Sequence, residues 1–397
     1  MFEFSTTRAQ FALPSDLVYL DGNSLGPLPR NAEARLQQTL NAEWGPMLIR
    51  GWNDAGWMGL PERVGDRIAP LIGALPGTVT MGDTLSLKLF QALSAALELR
   101  PDRRVVLSDS GNFPSDLYMA DALLKRLGGG AELRIVEPEQ VADALDDSVA
   151  VLMLTEVDFR TGRRHDMRAL TAAARGCGAV TVWDLAHSAG AFPIALDACG
   201  ADFAVGCTYK YLNGGPGAPA FIYVNPAIID QVTPLLAGWL GHASPFDFSR
   251  DYEPAPGIGR MRVGTPAVLA LQVLDAALDI WDGVPLADVQ AQSIALSELF
   301  IREVEARCPD LTLGSPRDPR QRGSQVSFHC EHGYPVMQAL IANGVIGDFR
   351  APDGMRFGFT PLYLSEQDVR KSVDVLAQIL SSRSWDQPRF HARARVT

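Results

Sequence analysis

The stretch VGCTYKYLNGGPGAPAF, residues 205–221, sets Lys210 between Tyr209 and Tyr211, at the end of an apolar run and just before a glycine-rich turn. Asp184, 26 residues earlier, closes a second apolar run, AVTVWD. An amine and a carboxylate on successive strand ends are the two groups that pyridoxal 5'-phosphate chemistry requires. The amine condenses with the aldehyde, and the carboxylate keeps the pyridine nitrogen protonated so that the ring withdraws electrons. Taken singly, Asp184 reads equally as a helix cap ahead of LAHSAG, and Lys210 as a surface charge beside a turn. His187, one turn beyond Asp184, and Tyr209, beside the lysine, favour the cofactor reading for the pair.

Such a site needs strands that end together. The runs VVLSD (105–109), AELRIVE (131–137), VAVLMLT (149–155), AVTVWD (179–184), FAVGCT (203–208) and AFIYV (220–224) are short and almost continuously apolar, and helix-period segments such as MRALTAAARG separate them. That texture predicts an α/β fold with a mostly parallel sheet covered on both faces. Ligands bind beyond the carboxyl ends of such strands, where Thr155, Asp184, Tyr209 and Lys210 all fall. Two helix starts belong to the same region. SGNFPSDLYMADALL offers Ser115 or Asp116 as a cap behind the aromatic Phe113. GDTLSLKLFQAL opens a helix near Leu85 and Ser86, whose free N–H groups suit a phosphate. Beyond residue 266 the pattern changes to two long helices, Pro266–Trp281 and Leu286–Arg307, then QVSFHC, MRFGFT and a last helix from near Ser365. The expected division is a large α/β domain over 46–267 and a smaller α+β domain from 1–45 and 268–397. The tail SWDQPRFHARARVT reads as a frayed, solvated terminus.

Composition narrows the partners. Acidic residues outnumber basic ones, 46 to 35, for a net charge of −11, which speaks against a nucleic-acid partner. No segment is apolar for membrane-spanning length, and the opening MFEFSTTRAQFALPS lacks a signal pattern, so a cytoplasmic protein is expected. Cys177, Cys199, Cys207, Cys308 and Cys330 form no C-x-x-C pair and read as reduced thiols. GPGAPA (215–220) leads into a strand instead of opening a helix, so it is a turn and not a dinucleotide loop. His329-Cys330-Glu331-His332 lacks a second ligand pair and reads as a strand end, with no metal.

YLDGNSLGPLP (19–29), SDSGNFPSDLY (108–118), WDLAHSAGAFP (183–193), TYKYLNGGPGAPAF (208–221), GWLGH (238–242), RMRVGTP (260–266) and MRFGFTPLY (355–363) resemble, in order, the kynureninase family. The resemblance implies the aspartate-aminotransferase-like fold of pyridoxal-phosphate enzymes and hydrolysis of L-kynurenine to anthranilate and L-alanine in tryptophan breakdown. It also implies a homodimer whose active sites are shared between subunits. Matched by motif, Lys210 is the lysine that takes up the aldehyde and Asp184 the partner of the pyridine nitrogen. Phe113 stacks on the ring, with Pro114, Ser115 and Asp116 following it and His187 completing the surroundings. Leu85, Ser86, Thr155 and Tyr209 hold the phosphate and ring substituents, and Trp239 and Thr265 reach the phosphate from the neighbouring subunit. Tyr209 also serves as proton donor near the ketone, while Arg356 clamps the substrate carboxylate with a bidentate fork.

Where the family usually has an asparagine after the phosphate-binding pair, this chain has Lys88, expected to point outward into solvent. Gly264-Thr265, in place of Ser-Asn, points to kynurenine over its 3-hydroxy derivative, and Trp52 is a candidate wall of the aromatic pocket. The competing activities are transamination or cysteine desulfuration, the latter needing a mobile nucleophilic thiol for which Cys330 is the candidate. A catalytically silent binding protein on the same fold is the third reading.

Overall fold

The computed structural model describes residues 2–394. Its main sheet and the associated helices run β1 (Val79–Met81), α1 (Leu85–Glu98), β2 (Val105–Asp109), α2 (Pro114–Leu127), β3 (Glu132–Val136), β4 (Val149–Thr155), α3 (Met167–Gly176), β5 (Val180–Asp184), β6 (Phe203–Gly206) and β7 (Phe221–Val224). Across the sheet the order is β1-β7-β6-β5-β4-β2-β3. The pairs β2/β3, β2/β4, β4/β5 and β5/β6 are parallel, as the sequence pattern predicts. β7 runs antiparallel to both its neighbours, a reversal that an apolar run of four residues cannot signal.

The continuous apolar runs follow from burial on both sides. In β4, Val149, Leu152 and Leu154 enter one core layer, whereas Ala150, Val151 and Met153 enter the layer on the opposite face. Neither face meets water, so no alternation with polar residues is selected. α1 covers the second layer with Leu89, Ala92, Leu93 and Ala96 against Val182 and Val205. Register then levels the strand ends: Thr155 lies opposite Asp184, and Asp184 opposite Val205.

The remainder carries helices Val268–Ala277 and Leu286–Arg307, a four-stranded antiparallel sheet and helix Glu366–Ser382. Ser365 caps the last helix reciprocally with Asp368, which fixes its start. In the small sheet Arg356 lies opposite both Ser327 and Asp348. Near the N-terminus, Val18–Tyr19 pairs in parallel with Val345–Ile346. The chain then crosses to the main sheet, where the Gly26 N–H donates to the Tyr209 carbonyl at 2.7 Å.

Three expectations are corrected. Lys88 is not solvated: it is 1% exposed, because α1 is apolar around most of its circumference and packs between the sheet and residues 257–261. Neither Ser115 nor Asp116 caps α2, which starts at Pro114 with Phe113 in the cap position. Proline suits that first position because it has no N–H to leave unpaired. The C-terminal tail is docked, not frayed. Trp385 and Phe390 are buried, and the Tyr334 hydroxyl donates to the Ala392 carbonyl at 3.1 Å and accepts from the Ala394 N–H at 2.9 Å. Residues 395–397 of that stretch lie outside the described residues.

The crossing at Gly26 leaves no room for a side chain. A Cβ there would lie 2.3 Å from the Lys210 carbonyl oxygen and 2.5 Å from Asn213 Oδ1. Gly26→Ala is therefore expected to cost about 1–3 kcal/mol of stability, the usual range for overpacking. Denaturant unfolding of the purified variant reads this, and an unchanged midpoint would show that the segment is not seated against the lysine loop.

Candidate active site

Beyond the carboxyl ends of β4, β5 and β6 lies a cavity of about 240 Å³. Thr155 closes β4 at its edge, Asp184 closes β5, and Cys207, Tyr209 and Lys210 follow β6. Leu85 and Ser86 enter from the first turn of α1, Phe113 and Ser115 from the start of α2, and His187 from the turn after β5. Two wider grooves, of about 640 and 600 Å³, contain neither Lys210 nor Asp184.

The reactive groups meet in this cavity. Lys210 Nζ lies 2.9 Å from His187 Nε2. Burial, reinforced by the Lys210 charge, pushes the imidazole well below its ordinary value, so a neutral ring receives the amine hydrogen bond. Asp184 accepts from the Ala186 N–H at 2.7 Å. Burial raises the Asp184 carboxyl, with Lys210 pulling the other way. Asp116 is buried behind it, and burial together with the Asp184 charge holds its carboxyl well above the usual range. Two carboxyls so placed hold one proton more readily than none. Burial also raises the Tyr209 phenol, with the Cys207 thiol adding to it, so the hydroxyl keeps its proton.

A phosphorylated pyridine aldehyde fits this donor set. Thr84 stands in the cap position of α1 without a side-chain cap hydrogen bond. Leu85 and Ser86, which line the cavity, open that 14-residue helix, and the N–H groups of its first turn have no partner along the helix, the arrangement that suits an anion. The Ser86, Thr155 and Tyr209 hydroxyls border the same space. Phe113, 40% exposed, stands edge-on to Phe159 at 5.0 Å between centroids and presents an apolar face to it. Asp184 supplies a carboxylate and Lys210 an amine.

Other candidate residues lie elsewhere. Arg356 is fully buried beside the cavity and not on its wall: Nε donates to Asp348 Oδ1 at 2.7 Å, Nη2 donates to Asp348 and to Ser24, and Nη1 donates to the carbonyl of the cavity residue Phe159. Burial works to raise the Asp348 carboxyl, but the Arg356 hydrogen bonds and charge outweigh it and hold it below its ordinary value. Trp239, 43% exposed, and Thr265, also exposed, do not border the cavity of their own chain. Pro114 sets the start of α2 without lining the cavity. Trp52 packs edge-on against Trp57 at 5.7 Å and is not a cavity residue. Sequence reading missed Phe159, Thr84 and Cys207 as lining residues, and Asp348, Ser24 and Asp21 around Arg356. Phe159 was open to detection, since it lies in the loop after β4, at the ligand-binding end of the sheet. Cys330 follows strand Gln325–His329 and is not a cavity residue, and His329 pairs with Asp353 at 3.0 Å. Among the described residues no three metal-ligating side chains converge, and no helix is long and apolar enough to cross a membrane.

Comparison with known proteins gives a consistent result. A family model for the kynureninase C-terminal domain matches residues 289–376. A curated kynureninase of Pseudomonas fluorescens is 50% identical over 397 residues, 98% of this chain and 95% of the relative. One of Burkholderia pseudomallei (strain 1106a) matches to the same extent. Among solved structures, an apo cysteine desulfurase from Thermococcus onnurineus NA1 superposes with a TM-score of 0.81 at 18% identity, covering 96% of this chain and 99% of that one. At that identity the likeness speaks for the fold.

The paired acids yield a test on the protein stripped of small molecules. A carboxyl whose folded pKa is raised contributes stability below its ordinary pKa and loses it as pH rises toward the folded value. Asp116→Asn keeps a donor toward Asp184 while removing the ionisation. The variant is expected to melt above wild type, with an advantage that widens from pH 5 to pH 8. Thermal melts across that range decide it, and a difference independent of pH would exclude a shared proton.

Proposed function

The chain belongs to the kynureninase family, and from that premise we propose how its residues carry out the pyridoxal-phosphate-dependent hydrolysis of L-kynurenine to anthranilate and L-alanine. The observation that carries the reading is the convergence of Lys210, Asp184 and Tyr209 on one small cavity that the uncapped start of α1 also borders. When bound, the cofactor supplies a cationic ring that accepts the electron pair released at the substrate Cα.

Lys210, freed by the substrate amine, takes the proton from Cα. Proton abstraction by a positioned amine needs that amine neutral for part of the cycle, and the neutral His187 acceptor at 2.9 Å is compatible with either protonation state. Asp184 would hold the proton on the ring nitrogen, and its burial would strengthen that interaction. Leu85 and Ser86 N–H groups and the Ser86, Thr155 and Tyr209 hydroxyls would hold the phosphate and ring substituents, and Phe113 would supply an apolar face to the ring, with Asp116 and His187 completing its surroundings. Tyr209, kept protonated, donates toward the ketone as water adds to its carbon. The bond between Cβ and the hydrated carbon then breaks: that carbon leaves as the anthranilate carboxyl, its hydroxyl proton passes by way of Tyr209 to Cβ, which keeps the bond's electron pair, and Lys210 returns its proton to Cα to complete L-alanine.

Arg356 receives the substrate carboxylate with a guanidinium already oriented by Asp348. Trp239 and Thr265 act on the phosphate of a second subunit, and their exposure on their own chain supports a homodimer with shared sites. The division into 46–267 and 1–45 with 268–397 places Lys210 and Arg356 in different domains, so the site lies where the two meet. The free cysteines Cys177, Cys199, Cys207, Cys308 and Cys330 are compatible with a cytoplasmic location. Gly264-Thr265 supports kynurenine over its 3-hydroxy form.

Desulfuration is the strongest rival, because solved cysteine desulfurases share the fold and Cys207 borders the cavity. Burial raises the Cys207 thiol, and the residue sits at a strand end instead of a mobile loop, so it is a poor nucleophile.

Wild type supplied with pyridoxal phosphate should release fluorescent anthranilate from L-kynurenine, and Lys210→Ala should release none. Reduction with borohydride should leave the cofactor on Lys210 alone, and a tag elsewhere would overturn the site map. Arg356→Lys exchanges a bidentate fork for a point charge, and is expected to raise KM roughly ten- to a hundredfold with a smaller change in kcat. Steady-state kinetics would refute the clamp if KM stayed at the wild-type value.

A further inference from the structure

Lys88 has no part in the chemistry above, yet it is among the largest fully buried side chains. Its Nζ donates to Gln91 Oε1 at 3.0 Å and to the Met261 carbonyl at 3.2 Å. Gln91 Nε2 donates to the same carbonyl at 3.3 Å. Both of the amine's acceptors are neutral, and the acid that acts on it, Asp83, does so through its charge. Burial pushes the amine down to about 8, with Asp83 drawing it up and Arg262 adding to the depression. A lysine held this dry on neutral acceptors is costly, and a shorter polar residue would fill the same helix position without that cost.

The two ends of this contact are informative. The Lys88 N–H closes the first turn of α1 onto the Thr84 carbonyl at 3.1 Å, so the side chain springs from the turn whose Leu85 and Ser86 line the cavity. Met261 ends the short turn Gly257–Met261, and the chain continues as Arg262-Val263-Gly264-Thr265. Arg262 is fixed by the Met58 carbonyl at 3.0 Å and by Glu62 at 3.3 Å. Val263 accepts from the Leu240 N–H at 3.2 Å, and a Cβ on Gly238 would come within 2.1 Å of its carbonyl oxygen. Residues 238–241 and 261–265 are thus one strap, bearing both Trp239 and Thr265.

We propose that Lys88 is a positioning residue that ties the phosphate-binding turn of one subunit to the strap that completes the neighbouring subunit's cofactor site. The inference rests on the reading that Trp239 and Thr265 serve the neighbour's phosphate. Under it, the grip on the cofactor in each site is set by the lysine of the opposite chain. Lys88→Met keeps the length of the side chain and leaves the Met261 carbonyl satisfied by Gln91, and a Gln91→Leu, Lys88→Met double variant also removes the Gln91 Oε1 acceptor that the single change leaves without its donor.

Hybrid dimers separate action across the interface from action within a chain. In each hybrid, Lys210→Ala on one chain leaves a single site able to form the lysine-linked chromophore, and its dissociation constant for pyridoxal phosphate is read by absorbance titration. With Lys88→Met on the chain that lacks Lys210, cofactor binding should weaken roughly tenfold, the scale of a lost charge-assisted hydrogen bond. With Lys88→Met on the chain that keeps Lys210, affinity should stay within about twofold of the control hybrid. Gln91→Leu, which removes the second donor to Met261, should repeat the pattern with smaller amplitude. The reverse dependence, or equal affinity in both arrangements, overturns the proposal. Failure of the underlying reading is separate: Thr265→Ala and Trp239→Ala would then leave cofactor affinity unchanged in every pairing.

Discussion

A carboxylate at the end of a strand covered on both faces is stable only if something positive answers it, and Asp184 is in that position. It is 3% exposed, level with Thr155 on one side and Val205 on the other, and a second carboxyl, Asp116, is buried behind it. The loop after β6 brings Lys210 within range to oppose the desolvation. His187, kept neutral by burial and by that same amine, takes the lysine's hydrogen bond without competing for the acid. On the proposed reading the protonated pyridine nitrogen would be the missing counter-charge. The same constraint explains why the sheet must be level here, since a one-residue slip would move Asp184 to the other face of β5 and replace it with an apolar neighbour.

The α1 side of the cavity is governed by backbone instead of side chains. α1 begins without a capping side chain at Thr84, which leaves its first N–H groups to whatever anion enters. Anions at such a terminus gain from the helix dipole as well as from hydrogen bonds. Lys88 then adds a buried positive group one turn further along the same helix, aimed away from the cavity at the carbonyl of Met261. Charge and tether therefore reside in a single side chain, placed where the helix, the sheet and residues 257–265 meet.

Much of this was legible in the sequence. Continuous apolar runs bounded by breakers gave Val149–Thr155, and helical spacing gave Met167–Gly176 and Leu286–Arg307 with the bounds observed. Asp184, Tyr209, Lys210 and Thr155 could be placed together because the carboxyl-end rule depends only on strand direction. What failed depended on tertiary contact. LSLKLFQALSAALE carries one charge before Glu98 and almost no polar face, so nothing local distinguishes a buried Lys88 from an exposed one. The tail reads as polar because its anchors, Trp385 and Phe390, are isolated, and what holds it is distant in sequence: Trp385 stacks on His332 at 4.4 Å between centroids and the Tyr334 hydroxyl donates to the Ala392 carbonyl. Arg356 was visible as a guanidinium near the site, but its partner Asp348 lies on a neighbouring strand and Ser24 more than three hundred residues earlier.

That arginine shows how a fold can hold a cation ready for an anion that is not yet there. Breaking one member out of a buried ion pair is costly, so a guanidinium locked to a single carboxylate would gain little from a second. Here Asp348 is shared: Arg350 Nη2 lies 2.8 Å from the oxygen that Arg356 also engages. Asp21 completes the group, and burial, with the Asp348 charge behind it, pushes its carboxyl up to about 7. Its Oδ1 is buried without a hydrogen-bond partner. While Asp21 holds its proton, two guanidiniums face one carboxylate and a single positive charge is left uncompensated beside the cavity. Tyr19, Tyr211 and Tyr363 surround the cluster, and burial raises each phenol beyond any competing ionisation. On the proposed reading the substrate carboxylate supplies the absent charge, so Arg356 can bind it without giving up Asp348, and its geometry is set before the substrate arrives.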